Sequence, residues 1–274
     1  MSTSKRISEN DRLKKHNDYS LQLNRWFLKP IGAWPLMNAS NSVWKTLILI
    51  QILICTSIVA LNMVPCMLYV LFEDVNIKLK LIAVGPLLHR IMGSINYWVL
   101  ITRSDDIHKL IRHMEADWSL VQRISDRGVM IQYAKFGRSV AMICGVIMQG
   151  GTFLYGSAKT FKTVTIIVDN RTVTMFPMTC PAYSKIIDTR FSPVNEIALS
   201  LQFMTMFIVT SSVVGACSLA AVFAIHACGQ LNVLYAWLRE LVKNQEEESH
   251  AAKRKLAEIV EHHLRILRYL HVGI

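Results

Sequence analysis

Few residues in this 274-residue chain have the types and spacing that chemistry requires. His226 and Cys228 stand two apart, and His262 and His263 are adjacent. Neither spacing puts two ligands on one helical face, as an i, i+4 pair would, so no metal site is expected. The chain contains no GxGxxG, P-loop, HExxH or GxSxG pattern, which leaves the usual nucleotide, zinc and acyl chemistries without their machinery. No catalytic set and no cofactor is expected. Six cysteines (Cys55, Cys66, Cys144, Cys180, Cys217 and Cys228) make no CxxC pair, and most fall in apolar stretches, where a thiol packs as a small hydrophobe. Cys66 and Cys180 lie where an oxidising space would let them meet, although two free thiols is the plainer reading. The adjacent pair His89-Arg90 interrupts an apolar run. At membrane depth such groups are costly and face a cavity or the bundle interior. The pair therefore either lines a solvated pocket or marks a helix face turned from lipid, and the second reading is favoured.

The elements that carry these residues are four long apolar stretches, at 44–72, 79–101, 139–158 and 197–228. The first has no charge after Lys45, and about 20 such residues cross a bilayer core. The fold class is all-α, a multi-pass transmembrane bundle. Composition agrees, with 52% hydrophobic and 18% charged residues and a mean hydropathy of +0.33. The net charge of +11 does not require nucleic acid, because the basic residues lie between the apolar stretches. Seven stand in segment 1–43 and seven in 102–138, whereas the first connection has only Lys78 beside Glu73 and Asp74. Positive charge stays inside, so segment 1–43, the 102–138 loop and the tail 229–274 are expected in the cytoplasm. Segment 159–196 is then outside, and Asn170-Arg171-Thr172 in it is a glycosylation acceptor; Asn38-Ala39-Ser40 is a second sequon on the opposite side. The first 40 residues have no apolar signal-peptide core, so the first membrane helix is the targeting signal.

Finer patterns concern packing. Ser212, Ala216, Ala220 and Ala224, with Gly215 beside them, form a small-residue stripe that predicts close helix approach. Phe203, Met204, Met206 and Phe207, with Met142 and Met148, suit either an adaptable apolar pocket or ordinary bundle core. In the tail, Leu256, Ile259, Val260, His263, Leu267 and Leu270 recur at helical spacing and predict an amphipathic helix that needs a partner over that face.

Gly32-Ala33-Trp34-Pro35, Asp117-Trp118, Pro177, Cys180-Pro181-Ala182-Tyr183, Ser192-Pro193, Glu196 and His226-Ala227-Cys228-Gly229-Gln230-Leu231 together resemble the insect odorant receptors, in a style similar to those of ants, bees and wasps. Asn195 departs from the tyrosine frequent in the family before Glu196. The resemblance implies seven helices with the N-terminus inside, and an odorant-gated cation channel formed as a tetramer with the odorant coreceptor. It also implies a site in the plasma membrane of the olfactory neuron dendrite and small volatile odorants as ligands. Four stretches against the family's seven lead to the expectation of a chain incomplete at its C-terminus, lacking the pore helix. The implied pocket lies in the outer half of the bundle. By position there, its wall is expected from His89, Met92 and Asn96, from Met148, Gly151 and Tyr155, and from Phe203, Met206 and Phe207. A G-protein-coupled receptor would put the basic N-terminus outside, and a transporter would show an internal repeat, which the helix pairs lack.

Overall fold

The computed structural model describes residues 18–34, 42–121, 123–161, 163–168, 171–243 and 249–273. A helix α1 over 18–28 comes first. It is followed by α2 (Ser42–Phe72), α3 (Ile77–Thr102), α4 (Ser104–Leu120) and α5 (Ile124–Thr160). An antiparallel hairpin, β1 (Val164–Val168) with β2 (Arg171–Met175), pairs Val164 with Met175 and Val168 with Arg171. Two further helices follow, α6 (Val194–Lys243) and α7 (Ser249–Gly273). Both sequons, at Asn38 and Asn170, lie outside the described residues.

This is a helical multi-pass membrane bundle, and three of its helices, α2, α5 and α6, are long and apolar enough to cross a bilayer. The second expected span, α3, has the length, since 26 residues rise about 39 Å. It falls short in apolarity, because Lys78, Lys80, His89 and Arg90 offset its leucines and isoleucines. Two expected boundaries also move. The third apolar stretch is the end of a helix that starts at Ile124, not at 139, and the fourth runs unbroken through 228 to Lys243. At 50 residues α6 is about 75 Å long, far more than the ~30 Å of a hydrocarbon core, so it extends well past the bilayer.

α6 is the axis of the fold. Of its most apolar window 56% is buried, against 11% for α2, which leaves most of its leucines and isoleucines exposed. Small residues make this possible, and only part of the expected stripe is among them. Ser212 is buried, but Ala220 and Ala224 are exposed, and the packed line runs through Ser211, Gly215, Ser218 and Val222. A Cβ on Gly215 would stand 2.2 Å from Leu28, so α1 lies directly on the α6 backbone there. Leu21, Leu28 and Ile31 are fully buried, and Tyr97 of α3 donates a 2.8 Å hydrogen bond to the Ile31 carbonyl. Segment 1–43 is thus partly a packed wedge. On the other side, Gly93 of α3 meets Val209 of α6, and Ser212 Oγ donates to the Gly93 carbonyl at 2.8 Å.

At the end of the bundle remote from the hairpin, α4, α6 and α7 are joined by a buried polar node. The Asp117 carboxylate accepts from His226 Nε2 at 3.0 Å and pairs with Arg265 Nε at 3.1 Å. Arg265 also donates through Nη2 to His262 Nδ1 at 3.1 Å. This node sets the rotation of α7. Ile259, His262, Ile266 and Tyr269 are covered, while Leu256, Val260 and Leu267, expected in the covered face, are about half exposed. The reading of His263 as inward is likewise corrected, since His262 takes that place. Burial, reinforced by Arg265, lowers the pKa of His262, because both disfavour a second positive charge.

Candidate functional site

Near the hairpin end, α3, α5 and α6 separate around a half-open cavity of about 380 Å³. Pockets for small molecules begin at roughly this size. α3 supplies Gly85, Pro86, His89 and Arg90, α5 supplies Gly151, Thr152 and Tyr155, and α6 supplies Met206. Thr179, from the segment joining the hairpin to α6, completes the wall. Pro86, inside α3, and Gly85 and Gly151 explain the width: a Cβ on either glycine would meet nothing within 4 Å. Beside the cavity, toward the hairpin, α5 and α6 close on each other. A Cβ on Gly156 would meet Met206 at 2.8 Å, and Phe203 packs on Phe153 with ring centroids 6.0 Å apart.

The segment carrying Thr179 is fastened from several directions. Cys66 in α2 and Cys180 form a disulfide, which overturns the plainer expectation of two free thiols. Gln202 in α6 accepts from the Thr179 N–H at 3.1 Å and from its hydroxyl at 2.8 Å, and it donates to the Cys180 carbonyl. Ser184 donates twice to Glu73 at the end of α2, and the Tyr183 N–H donates to the Pro65 carbonyl at 3.1 Å. Asn195, the position that departs from the family pattern, accepts from the Phe176 N–H and donates to the Phe176 and Thr189 carbonyls. Further out, Arg190 grips Asp188 with two donors at 2.7 and 2.8 Å, which holds that carboxyl below its usual range. The result is a cap of fixed backbone over one side of the cavity.

Arg90 is the unusual member of the wall. It is 2% exposed, yet its contacts are long: 3.4 Å from Nη1 to the Pro86 carbonyl and 3.5 Å from Nη2 to Thr179 Oγ1. Its Nε is buried with no hydrogen-bond partner among the described residues. The Thr179 hydroxyl spends its proton on Gln202, so it offers Arg90 only a lone pair.

Of the nine residues expected to line a pocket, the structure brings His89, Gly151, Tyr155 and Met206 together. The other five do not line it. Met92 points out at 58% exposure, Phe207 is also on the outer surface, Phe203 is packed between α5 and α6, and Asn96 and Met148 lie further along their helices. The methionine and aromatic concentration divides in the same way, with Met206 at the cavity and Met142 and Met204 exposed. Sequence reasoning noticed Arg90 but favoured packing for it. Gly85, Pro86, Thr152 and Thr179 carried no signal, because their role follows from where α3 and the cap meet. No group of histidine, cysteine and acidic residues suited to a metal occurs among the described residues.

Residues 76–272 match the family model described as 7tm Odorant receptor. No protein of curated function matches the chain.

Proposed function

The chain belongs to the 7tm odorant receptor family, and from that membership we propose that the cavity between α3, α5 and α6 is its odorant site. The observation that carries this reading is the cavity itself: a half-open space of about 380 Å³ at the hairpin end, largely apolar in lining, whereas the other large opening, about 360 Å³ between α3, α4 and α6, is lined in part by Arg103 and Asp106. Small volatile molecules would be held there by apolar burial with few directional contacts, so one methylene changes affinity by roughly 1–3 kcal/mol.

In the proposed topology the hairpin end is extracellular and the α4–α7 end cytoplasmic, with α3 as the fourth span. The disulfide at the hairpin end supports this, since such bonds persist in oxidising surroundings. The basic residues of 102–138 support it from the other side. The almost fully buried Arg90 is compatible with a membrane-crossing α3, because it faces the cavity. We further propose the coreceptor as partner, a shared odorant-gated cation channel as the assembly, and the plasma membrane of the olfactory neuron dendrite as its location. A ligand gates such an assembly only by binding the open state better than the closed one.

Displacement of a fluorescent apolar probe from the purified chain in lipid nanodiscs tests the site. Gly151→Leu places a side chain into open space, so it should abolish probe binding at unchanged thermal stability. Unchanged probe binding in this variant would refute the assignment.

A further inference from the structure

Arg90 poses a chemical question that an apolar odorant does not answer. A guanidinium carries five donors and stays charged in proteins. Here it is almost fully buried beside the Tyr155 phenol, its two hydrogen bonds to neutral oxygens are long, and Nε has no hydrogen-bond partner among the described residues. Burying a cation is costly unless a counter-charge compensates, and no carboxylate lines the cavity among the described residues. The side chain stands halfway along α3, so it cannot lay its charge in water beyond either helix end. The wall offers both characters: Arg90, its neighbour Thr179 and His89 are polar, whereas Pro86, Met206 and the Tyr155 ring are apolar.

We propose that the ligand of this pocket is a short-chain carboxylate, its carboxylate on the Arg90 guanidinium and its hydrocarbon chain along Pro86, Tyr155 and Met206. This rests on the reading of the cavity as the odorant site and names the ligand class within it. The planar fork of arginine matches the two oxygens of a carboxylate, which a lysine at this position would meet only as a point charge. Thr179 fits as a positioning residue: Gln202 takes its hydroxyl proton, so its lone pair steers Nη2 and leaves the remaining donors to the ligand.

The test compares hexanoate, methyl hexanoate and 1-hexanol as displacers of the apolar probe from the full chain in neutral-lipid nanodiscs, at matched free concentrations. At neutral pH hexanoate should displace the probe about 30-fold or more better than the ester or the alcohol, as expected when a buried charge gains its partner. Arg90→Met should erase that preference and leave hexanol displacement in place, and Arg90→Lys should retain part of it. Should Arg90→Met fail to fold, the wild type decides. Lowering the pH through the carboxylic range, about 4–5, should bring hexanoate down to the affinity of the ester measured at the same pH. Ester and alcohol displacement that is lost in Gly151→Leu, with hexanoate no better, would overturn the carboxylate inference and leave the odorant site standing. Probe binding that none of the three compounds displaces and that Gly151→Leu leaves unchanged would overturn both.

Discussion

Gly93→Ala should loosen the joint on which the cavity rests. An added Cβ would stand 2.1 Å from Val209 Cγ1 and 3.0 Å from the Val209 carbonyl oxygen. Val209 cannot swing aside, because it is fully buried and β-branched, and its carbonyl belongs to the α6 backbone. α3 and α6 must therefore separate. Such overpacking costs about 1–3 kcal/mol, and the strained Ser212–Gly93 hydrogen bond adds roughly 0.6 kcal/mol, typical between membrane helices. Alanine returns about 1 kcal/mol of helix propensity, so the net loss is roughly 0.6–2.6 kcal/mol. Arg90 and Met206 lie one turn nearer the hairpin on the same two helices, so the separation should also widen the cavity and weaken ligand binding. Unfolding of the detergent-solubilised protein by graded SDS measures the loss. Val209→Ala removes the clashing methyl, and the double variant should fall short of the summed single losses by about 1 kcal/mol or more. Gly93→Ala as stable as the wild type, or strict additivity in the cycle, would refute the close approach of the two helices.

Three further outcomes are expected. Maleimide labelling of the denatured, unreduced chain should reach four thiols, Cys55, Cys144, Cys217 and Cys228, and all six cysteines only after reduction; six before reduction would exclude the cap's disulfide. Lowered in the fold, the pKa of His262 lies below its unfolded value of about 6.5, so protons bind the undocked α7 better and docking should weaken as pH falls through about 6.5. Asp117 and Asp126 oppose that shift and Arg265 reinforces it; hydrogen exchange over 259–269, corrected for intrinsic rate, should lose protection between pH 7.5 and 5.5, and unchanged protection would contradict the assignment. Glycosylation mapping should find Asn170 modified and Asn38 unmodified, and the reverse pattern would invert the proposed topology.

The membrane class, the approximate apolar stretches and the family were legible in the sequence, because the transfer of about 20 apolar residues into a bilayer is a local property that needs no tertiary partner. The charges of α3 were legible too, and so was the exclusion of the common catalytic motifs. Other features depended on pairs far apart in the chain. Two apolar seams run along α7, one through Ile259 and Ile266 and one through Leu256, Val260 and Leu267, and periodicity alone does not choose between them. Asp117, on α4, chooses by holding Arg265. The small-residue stripe of α6 likewise did not fix the contact line, and α1, which no hydropathy pattern marked, settles on Gly215 beside it. At the cavity, the motif residue Cys180 anchors the cap, and Arg90 becomes a wall residue only because Thr179 arrives from 89 positions away. Sequence patterning fixes which residues avoid water, whereas the rotation of each helix and the meeting of distant segments follow from packing and from the pairing of buried polar groups.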